Sequence, residues 1–306
     1  MNSDNTGGSI LALMLFLGTP VQAQAQSAPT LDIKAIEQAL GRGGDLHDDV
    51  YKVSFPRKDL SVAVRGVSLK VGFALGTWIA FKQAGKDAVM DGDLVLTEEE
   101  VGPVFRSLRK EGIEISALHN HLIGETPRVM YLHIAGKGDA VQMAMHLKDA
   151  LSLTATPMGP PSAKPLGAAL RKAAEEADFD AAVIQKELGY KGKIKDGVLH
   201  ISVPRPEQIT MAGAILPPSM GMATALNFQS AGGNKVAATG DFVMAPDEVD
   251  RVSKALTEHG IVITALHNHL VHSSPDLYFM HFWANDNAEN VAKALRAGLE
   301  AMKRGG

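Results

Sequence analysis

The chain contains the hexapeptide Ala117-Leu118-His119-Asn120-His121-Leu122, and the same six residues return at positions 265–270. Each copy reads as a β-strand that carries two histidines. A third histidine follows each copy at the same spacing, His133 in the first and His281 in the second. Six of the chain's 11 histidines therefore form two matching sets, 148 residues apart. The first triad is His119, His121 and His133, and the second triad is His267, His269 and His281.

The alternation of side chains along a β-strand predicts how one triad is arranged. Residues i and i+2 point to the same face, so His119 and His121 share a face. Turn residues at 123–128 and the apolar run after them predict a hairpin, with His133 opposite His119 and Tyr131 opposite His121. Directly opposed Cβ atoms lie roughly 5 Å apart, so three imidazoles converge. Three neutral imidazoles with an open fourth position suit zinc, copper or another borderline divalent metal.

The alternative for a His-x-His strand is a buried, hydrogen-bonded pair or an exposed polar face, because the motif is short. The duplication favours metal ligation, since neighbouring positions have diverged whereas the histidines have not. The diverged pairs are Gly124 and His272, Glu125 and Ser273, and Arg128 and Asp276.

Four carboxylates near the triads are candidates for chemistry. Glu125 and Asp276 lie in the two predicted hairpin turns and are the predicted general base or fourth ligand. The alternative for each is a solvated turn residue. Asp93 and Asp241 follow glycine at equivalent positions, and they are either turn residues or carboxylates that reach the histidines.

The charges beside the two triads predict that the second triad binds metal more tightly. Asp276 favours a bound cation, whereas Arg128 opposes one, if either side chain points inward. The double substitution of His267 and His269 by alanine is therefore expected to lower metal content more than that of His119 and His121.

The repeat extends over most of the chain. An offset of 148 residues aligns Pro56-Arg57 with Pro204-Arg205 and Gly92-Asp93 with Gly240-Asp241, without a gap. The predicted organisation is a signal peptide over 1–25, a first unit over 31–151, a linker over 152–164 and a second unit over 165–304. The linker is rich in proline and small residues.

Both units show the same order of predicted elements, which indicates an α+β fold with an antiparallel sheet and flanking helices. Thr97 and Glu100 have the form of a capping box that starts a helix ending at Gly112. The other predicted helices cover 31–40, 139–151, 164–188 and 287–302. The predicted strands before the triads cover 50–55, 60–64, 72–81 and 88–96, matched by 198–203, 209–214, 220–228 and 235–244.

The N-terminus predicts export. A short apolar run at 10–17 and small residues around Ala23 and Ala25 are typical of a secretory signal, although the usual basic residues are missing. The run is shorter than the about 20 residues that span a bilayer, so no transmembrane segment is expected after cleavage. The mature protein is predicted to be periplasmic or secreted, and the absence of cysteine excludes disulfides.

Composition and net charge limit the classes of partner that the protein is expected to bind. The net charge is -4, and the chain has no basic stripe, so nothing indicates nucleic acid binding. Aromatic residues make up 5% of the chain, which disfavours a polysaccharide groove. The expected partner is a metal ion, a small molecule or another protein, and the oligomeric state stays open.

The signal-like N-terminus, the tandem units and the two Ala-Leu-His-Asn-His-Leu hexapeptides together resemble the family that includes the mycobacterial lipoproteins LppY and LpqO. The resemblance implies an exported protein with a duplicated domain of unknown function, and it implies no activity. The chain has no cysteine to lipidate, so a lipid anchor does not carry over.

Three functions remain open at the level of the sequence. The first is an exported protein that carries, senses or buffers zinc or copper. The second is a metal-dependent hydrolase, in which a triad leaves one position for water. The third is a binding module with structural histidines. The first is preferred, because the sequence shows no catalytic base repeated beside both triads.

Overall fold

The computed structural model describes Met1, residues 30–159 and residues 177–303. Residues 2–25 of the predicted signal peptide, the end of the predicted linker and the start of the predicted helix over 164–188 lie outside the described residues.

The first unit begins with a helix, continues through strands and closes with a helix. Its helices are α1 (Ile33–Leu40), α2 (Val71–Ala74), α3 (Glu98–Lys110) and α4 (Ala140–Leu151). Its strands are β1 (Asp45–His47), β2 (Val50–Pro56), β3 (Ala63–Val64), β4 (Val67–Ser68), β5 (Gly76–Ala84), β6 (Asp87–Thr97), β7 (Glu114–His119), β8 (Glu125–Thr126) and β9 (Val129–Gly138).

The second unit repeats this order, with short 3-10 helices at Pro218–Met220 and Pro246–Glu248. Its helices are α5 (Ala181–Leu188), α6 (Val249–Glu258) and α7 (Ala288–Met302). Its strands are β10 (Lys193–Lys195), β11 (Val198–Pro204), β12 (Ile209–Met211), β13 (Ala214–Leu216), β14 (Ala223–Gly232), β15 (Lys235–Met244), β16 (Val262–Asn268), β17 (Ser273–Ser274) and β18 (Tyr278–Asn287). None of the helices in the described ranges is both long and apolar enough to cross a membrane.

Each unit contains one six-stranded antiparallel sheet. The strand order is β1-β2-β5-β6-β9-β7 in the first unit and β10-β11-β14-β15-β18-β16 in the second. The predicted α+β class is confirmed, and so is the antiparallel pairing of the strands that carry the histidines, β7 with β9 and β16 with β18.

Two details of the prediction are wrong. The strand predicted from Gly72 begins only at Gly76, because residues 71–74 form the single helical turn α2. The repeat also needs a gap, since Trp78 pairs with Asp93 whereas Ala225, only 147 positions after Trp78, pairs with Asp241. The second unit is one residue shorter before β14 and regains that residue at a bulge in β14.

The capping box at the start of α3 is confirmed. The Glu100 carboxylate accepts a hydrogen bond from the Thr97 backbone N–H at 2.9 Å, which satisfies a donor that the helix leaves free. The same carboxylate pairs with the buried Arg57 at 2.8 Å, so the cap also connects α3 to the end of β2.

Strand alternation gives each sheet two different faces. In β6, Met90 and Leu94 pack with the helices of their own unit, whereas Val89 and Asp91 point to the opposite face. That opposite face meets the second unit. Asp93, two residues after Asp91, is therefore directed towards the interface between the units.

Each unit extends an arm over the sheet of the other. Arm 1, residues 60–75, packs its apolar side chains with Val198, Ala237 and Trp283 of the second unit. Arm 2, residues 207–222, packs with Val50, Ala80 and Val89 of the first. The interface between the units is therefore an apolar core in its own right.

Gly240 lies where β14 and β15 approach closely, and Gly240→Ala is expected to destabilise the protein by about 3 kcal/mol. A Cβ at this position would overlap the carbonyl oxygen of Ala225 on the neighbouring strand. Gly102→Ala in α3 is the matched control. Its added methyl meets only the flexible end of the Arg106 side chain, but Pro103 follows and disfavours a helical residue with a Cβ, so stability should change by less than about 1 kcal/mol. Chemical denaturation checks both values, and an unchanged midpoint for Gly240→Ala would contradict the packing described here.

Candidate metal centre

The first triad lies at one end of the β7–β9 pair. His119 ends β7, His133 lies within β9, and His121 follows β7 in a bend. The predicted register is wrong by two residues, because His119 pairs with Tyr131 and Ala117 pairs with His133. A bulge in β7 and a long turn replace the tight hairpin. The side chains still converge, and the Nε2 atoms of His119 and His133 are 2.8 Å apart.

The second triad repeats this geometry. His267 lies near the end of β16, His281 lies within β18, and His269 follows β16. The Nε2 atoms of His267 and His281 are 2.9 Å apart. The two units thus fold the same residues into the same local arrangement.

The two triads meet and form one six-histidine cluster. Three ring pairs each join one unit to the other: His119 with His267 at 3.6 Å, His121 with His281 at 3.9 Å, and His133 with His269 at 3.5 Å between centroids. A hydrogen bond from the Thr264 hydroxyl to the backbone carbonyl of His121 joins the units beside this cluster. The sequence alone cannot tell whether the two triads meet, and the structure brings all six histidines into one composite cluster.

Hydrogen bonds at Nδ1 leave the Nε2 atoms of the second triad free to bind a cation. Nδ1 of His267 lies 2.8 Å from the carbonyl oxygen of Asn268, which can only accept, so this nitrogen carries the hydrogen. Nδ1 of His281 lies against the carboxylate of Asp241 and carries a hydrogen for the same reason. The two Nε2 atoms then face each other at 2.9 Å, and either a proton shared between them or a metal ion bound by both removes the repulsion of their lone pairs. Two imidazoles on a tetrahedral zinc ion place their nitrogens about 3.3 Å apart, given Zn–N distances of about 2.05 Å, so a small separation of the two rings accommodates zinc.

Burial favours the neutral form of five of the clustered imidazoles. Burial and, after it, the neighbouring histidines lower the pKa of His119 to about 3 and that of His267 to about 4. The pKa values of His121, His133 and His269 lie well below the usual value, mainly because of burial. Neutral imidazole is the form that binds a metal, so these five residues do not have to lose protons before they bind one.

Several buried ring nitrogens have no hydrogen-bond partner among the described residues. They are Nε2 of His121, Nδ1 of His133 and both ring nitrogens of His269. Leaving a buried polar atom unpaired costs about 1–3 kcal/mol. A metal ion satisfies such atoms directly.

Two sets of three histidines have ligand atoms within 4.8 Å of one another and can hold a metal ion. One is the first triad itself. The other combines His119 of the first unit with His267 and His281 of the second. His119 belongs to both sets, so it stands where the two halves of the cluster join.

Asp241 orients a histidine of the second triad. It lies in β15 directly across from His281, and its carboxylate contacts Nδ1 of that residue. Burial raises the pKa of Asp241, but the neighbouring His281, His269 and His267 outweigh burial and hold the pKa below its usual value. A carboxylate on the outer nitrogen of a ligating histidine fixes the ring and raises its basicity.

Asp93 is the counterpart of Asp241 and lies in β6 directly across from His133. Its carboxylate oxygens are 3.9 Å from Nδ1 of His133 and 3.9 Å from Nε2 of His121, so it approaches both histidines without touching them. Burial raises the pKa of Asp93 well above its usual value, and the charges of Asp241 and Asp91 raise it further. Both aspartates are strand residues that reach the histidines, and the alternative of turn residues is wrong.

A cavity of about 240 Å³ opens onto the cluster between the units. His121, Asp93 and Asp241 form its polar wall, and Phe73 and Trp78 form part of its apolar wall. The space is large enough for water or a small molecule beside a bound ion.

Glu125 lies away from the histidine cluster. It is 9% exposed, pairs with Val64 in the small β3–β8 ladder and accepts a hydrogen bond from Val129 N at 3.3 Å. Burial raises its pKa to about 7. It lines a different cavity, together with Arg128, so the structure does not bring it to the cavity beside the histidines.

The charges that predicted a tighter second triad point to solvent. Asp276 is exposed, and the exposed guanidinium of Arg128 lies 3.4 Å from Glu98. His272 is exposed as well, and Trp283 packs edge-on against Phe73 of arm 1. The flanking charges therefore give no reason to expect that the second triad binds metal more tightly than the first.

Sequence reasoning missed the meeting of the triads and underrated the two aspartates. A local signal for Asp93 exists, because strand alternation sets Asp91 and Asp93 apart from the apolar Met90 and Leu94. No local signal exists for the meeting of the triads, which depends on how two distant sheets pack.

Fold and site together define a duplicated α+β protein with a buried histidine cluster at the interface of its two units. The chain belongs to the family described as Domain of Unknown Function (DUF1259), whose model matches residues 34–153 and 182–301. The two matches confirm the predicted duplication.

Comparisons with curated proteins and with solved structures indicate no function for this chain. No curated protein matches the chain. Among solved structures, the trimeric bacterial microcompartment shell protein PduB is similar with 11% identity and a TM-score of 0.22, covering 85% of this chain and 89% of that chain. The regulatory subunit of aspartate kinase from Thermus thermophilus gives 14% identity and a TM-score of 0.19, covering 74% and 97%. Scores this low carry no argument about fold or function.

Proposed function

We propose that this protein is exported and binds a transition metal ion, zinc or copper, in the composite histidine cluster. The observation that carries the proposal is the convergence of the histidines, in which two sets of three have ligand atoms within 4.8 Å of one another. The cluster offers only imidazole and carboxylate ligands, which suit zinc and copper(II) better than soft-metal chemistry.

Elemental analysis of protein purified without an affinity tag tests the proposal. The expected result is about one zinc or copper ion per chain, filling one composite site. Protein that is free of metal after purification, and that stays free of it after incubation with zinc or copper followed by desalting, would favour structural histidines instead.

Export is the second part of the proposal. A mature N-terminus at Gln24 or Gln26 is expected from mass spectrometry of the protein from its native host. An intact Met1 in the cytosol would refute export. The proposed kinship with the LppY and LpqO family fits both parts, because the hexapeptides that carry the resemblance supply four of the six clustered histidines.

A metal-dependent hydrolase is the second candidate, and two observations favour it. Asp93 and Asp241 occupy equivalent places beside both triads, which supplies the repeated carboxylate that the sequence interpretation lacked. Both also line the cavity that reaches the cluster. Zinc lowers the pKa of a bound water to about 7, and a nearby carboxylate can accept its proton. Hydrolysis that is lost with a chelator and restored by zinc would place the protein in this class, whereas tight binding without turnover favours carriage or buffering.

A further inference from the structure

A groove of about 260 Å³ lies in the second unit, on the side of the sheet that carries the helices. The ion pair of Arg205 with Glu248, at 2.6 Å, forms part of its wall. Apolar side chains complete the wall, among them Val203, Leu299 and Met302.

The equivalent place in the first unit is filled by the chain itself. The ion pair there is Arg57 with Glu100, and residues 154–159 run across it. The backbone N–H of Ala155 donates to Oε1 of Glu100 at 2.8 Å, and Met158 packs against the core of the first unit. Arg42 donates to the carbonyl oxygen of Gly159 at 2.7 Å and holds the far end of the segment.

The second unit keeps the groove but not the filling segment. Oε1 of Glu248 accepts a 3.3 Å bond from Arg205 and lies 3.8 Å from Arg251, and among the described residues no backbone N–H bonds to it as Ala155 N–H bonds to Glu100. In the sequence, the residue 148 positions after Met158 is Gly306, which lies outside the described residues and offers no apolar side chain. Val203 replaces the larger Phe55, which widens the groove.

We propose that this groove binds an extended peptide segment of a partner protein. The first unit supplies the template: one backbone N–H donated to Oε1 of Glu248 and one methionine-like side chain placed against Val203 and Leu299. Such binding combines main-chain hydrogen bonding with a pocket for one apolar side chain. The inference is independent of metal binding, because the groove contains none of the clustered histidines.

Fluorescence anisotropy with the labelled peptide Thr-Ala-Thr-Pro-Met-Gly, the sequence of residues 154–159, tests the proposal on the full chain. Weak but saturable binding is expected. A peptide with aspartate in place of methionine should bind about tenfold more weakly or not at all, since losing one apolar contact in a fitted pocket costs about a factor of ten or more. This comparison uses unaltered protein, so it does not depend on any variant folding.

Protein variants locate the binding. Val203→Arg should fill the groove and weaken binding about tenfold, whereas the matched control Phe105→Arg, at a surface position of the first unit, should leave it unchanged. Absence of saturable binding, or binding that ignores both Val203→Arg and the aspartate peptide, would overturn the proposal. Binding only by a chain that ends at Lys303 would overturn it too, because the groove would then belong to the chain's own last residues.

Discussion

The double variants His119→Ala/His121→Ala and His267→Ala/His269→Ala are both expected to lose bound metal, and the first at least as much as the second, because His119 belongs to both sets of three histidines. Each removes ligands from the single composite cluster, in which His119 and His267 stack at 3.6 Å. The affinity of either variant should fall more than about 100-fold, which exceeds the 10–100-fold effect typical of losing an outer hydrogen-bond partner. Elemental analysis of each variant, with a competing chelator to rank affinities, measures the loss.

Exposed histidines provide the control for this experiment. His47 and His259 lie on the surface, so the variants His47→Ala and His259→Ala should retain the metal content of the unaltered protein. Full metal content in one double variant and none in the other would contradict a shared site. Metal retained in both would show that the ligands lie elsewhere.

Asp241→Asn is expected to weaken metal binding about 10–100-fold, and Asp93→Asn to weaken it less. The carboxylate of Asp241 contacts Nδ1 of His281, whereas Asp93 remains 3.9 Å from His133. An amide in place of Asp241 removes the charge that orients and polarises the ring. Metal titration against a chromophoric chelator measures the difference, and circular dichroism establishes that both variants fold. Equal losses, or a larger loss for Asp93→Asn, would contradict the asymmetry of the two aspartates.

The fold was largely predictable because its signals are local. The capping box at Thr97 and Glu100 marks the start of α3, and runs of apolar and small residues mark β6 and β15. The register of the histidine hairpin was not predictable, because it depends on the turn at residues 120–128, whereas the bulge in β7 shifts only the pairs beyond the histidines. The turn also carries β8, which pairs with β3 of arm 1 instead of closing tightly.

The histidines themselves were predictable from their repetition, but their joint site was not. Two triads 148 residues apart carry no information about which faces of their sheets meet. The faces meet because arm 1 and arm 2 cover each other's sheets, a long-range packing choice made by scattered apolar residues such as Phe73 and Met220. Candidate residues chosen for closeness in sequence, such as Asp276, proved to be exposed.

The reciprocal arms have a consequence for how this site can change. Two separate identical chains joined in this way would be related by a twofold axis through the cluster, and every substitution would appear on both sides of that axis. A tandem chain is free of this constraint and can alter one side alone. Here Lys52 and Asp91 stand on one side, and His200 and Thr239 stand at the corresponding positions on the other. The six histidines keep the symmetry of a dimer, while the side chains on the neighbouring strands differ in charge between the two units.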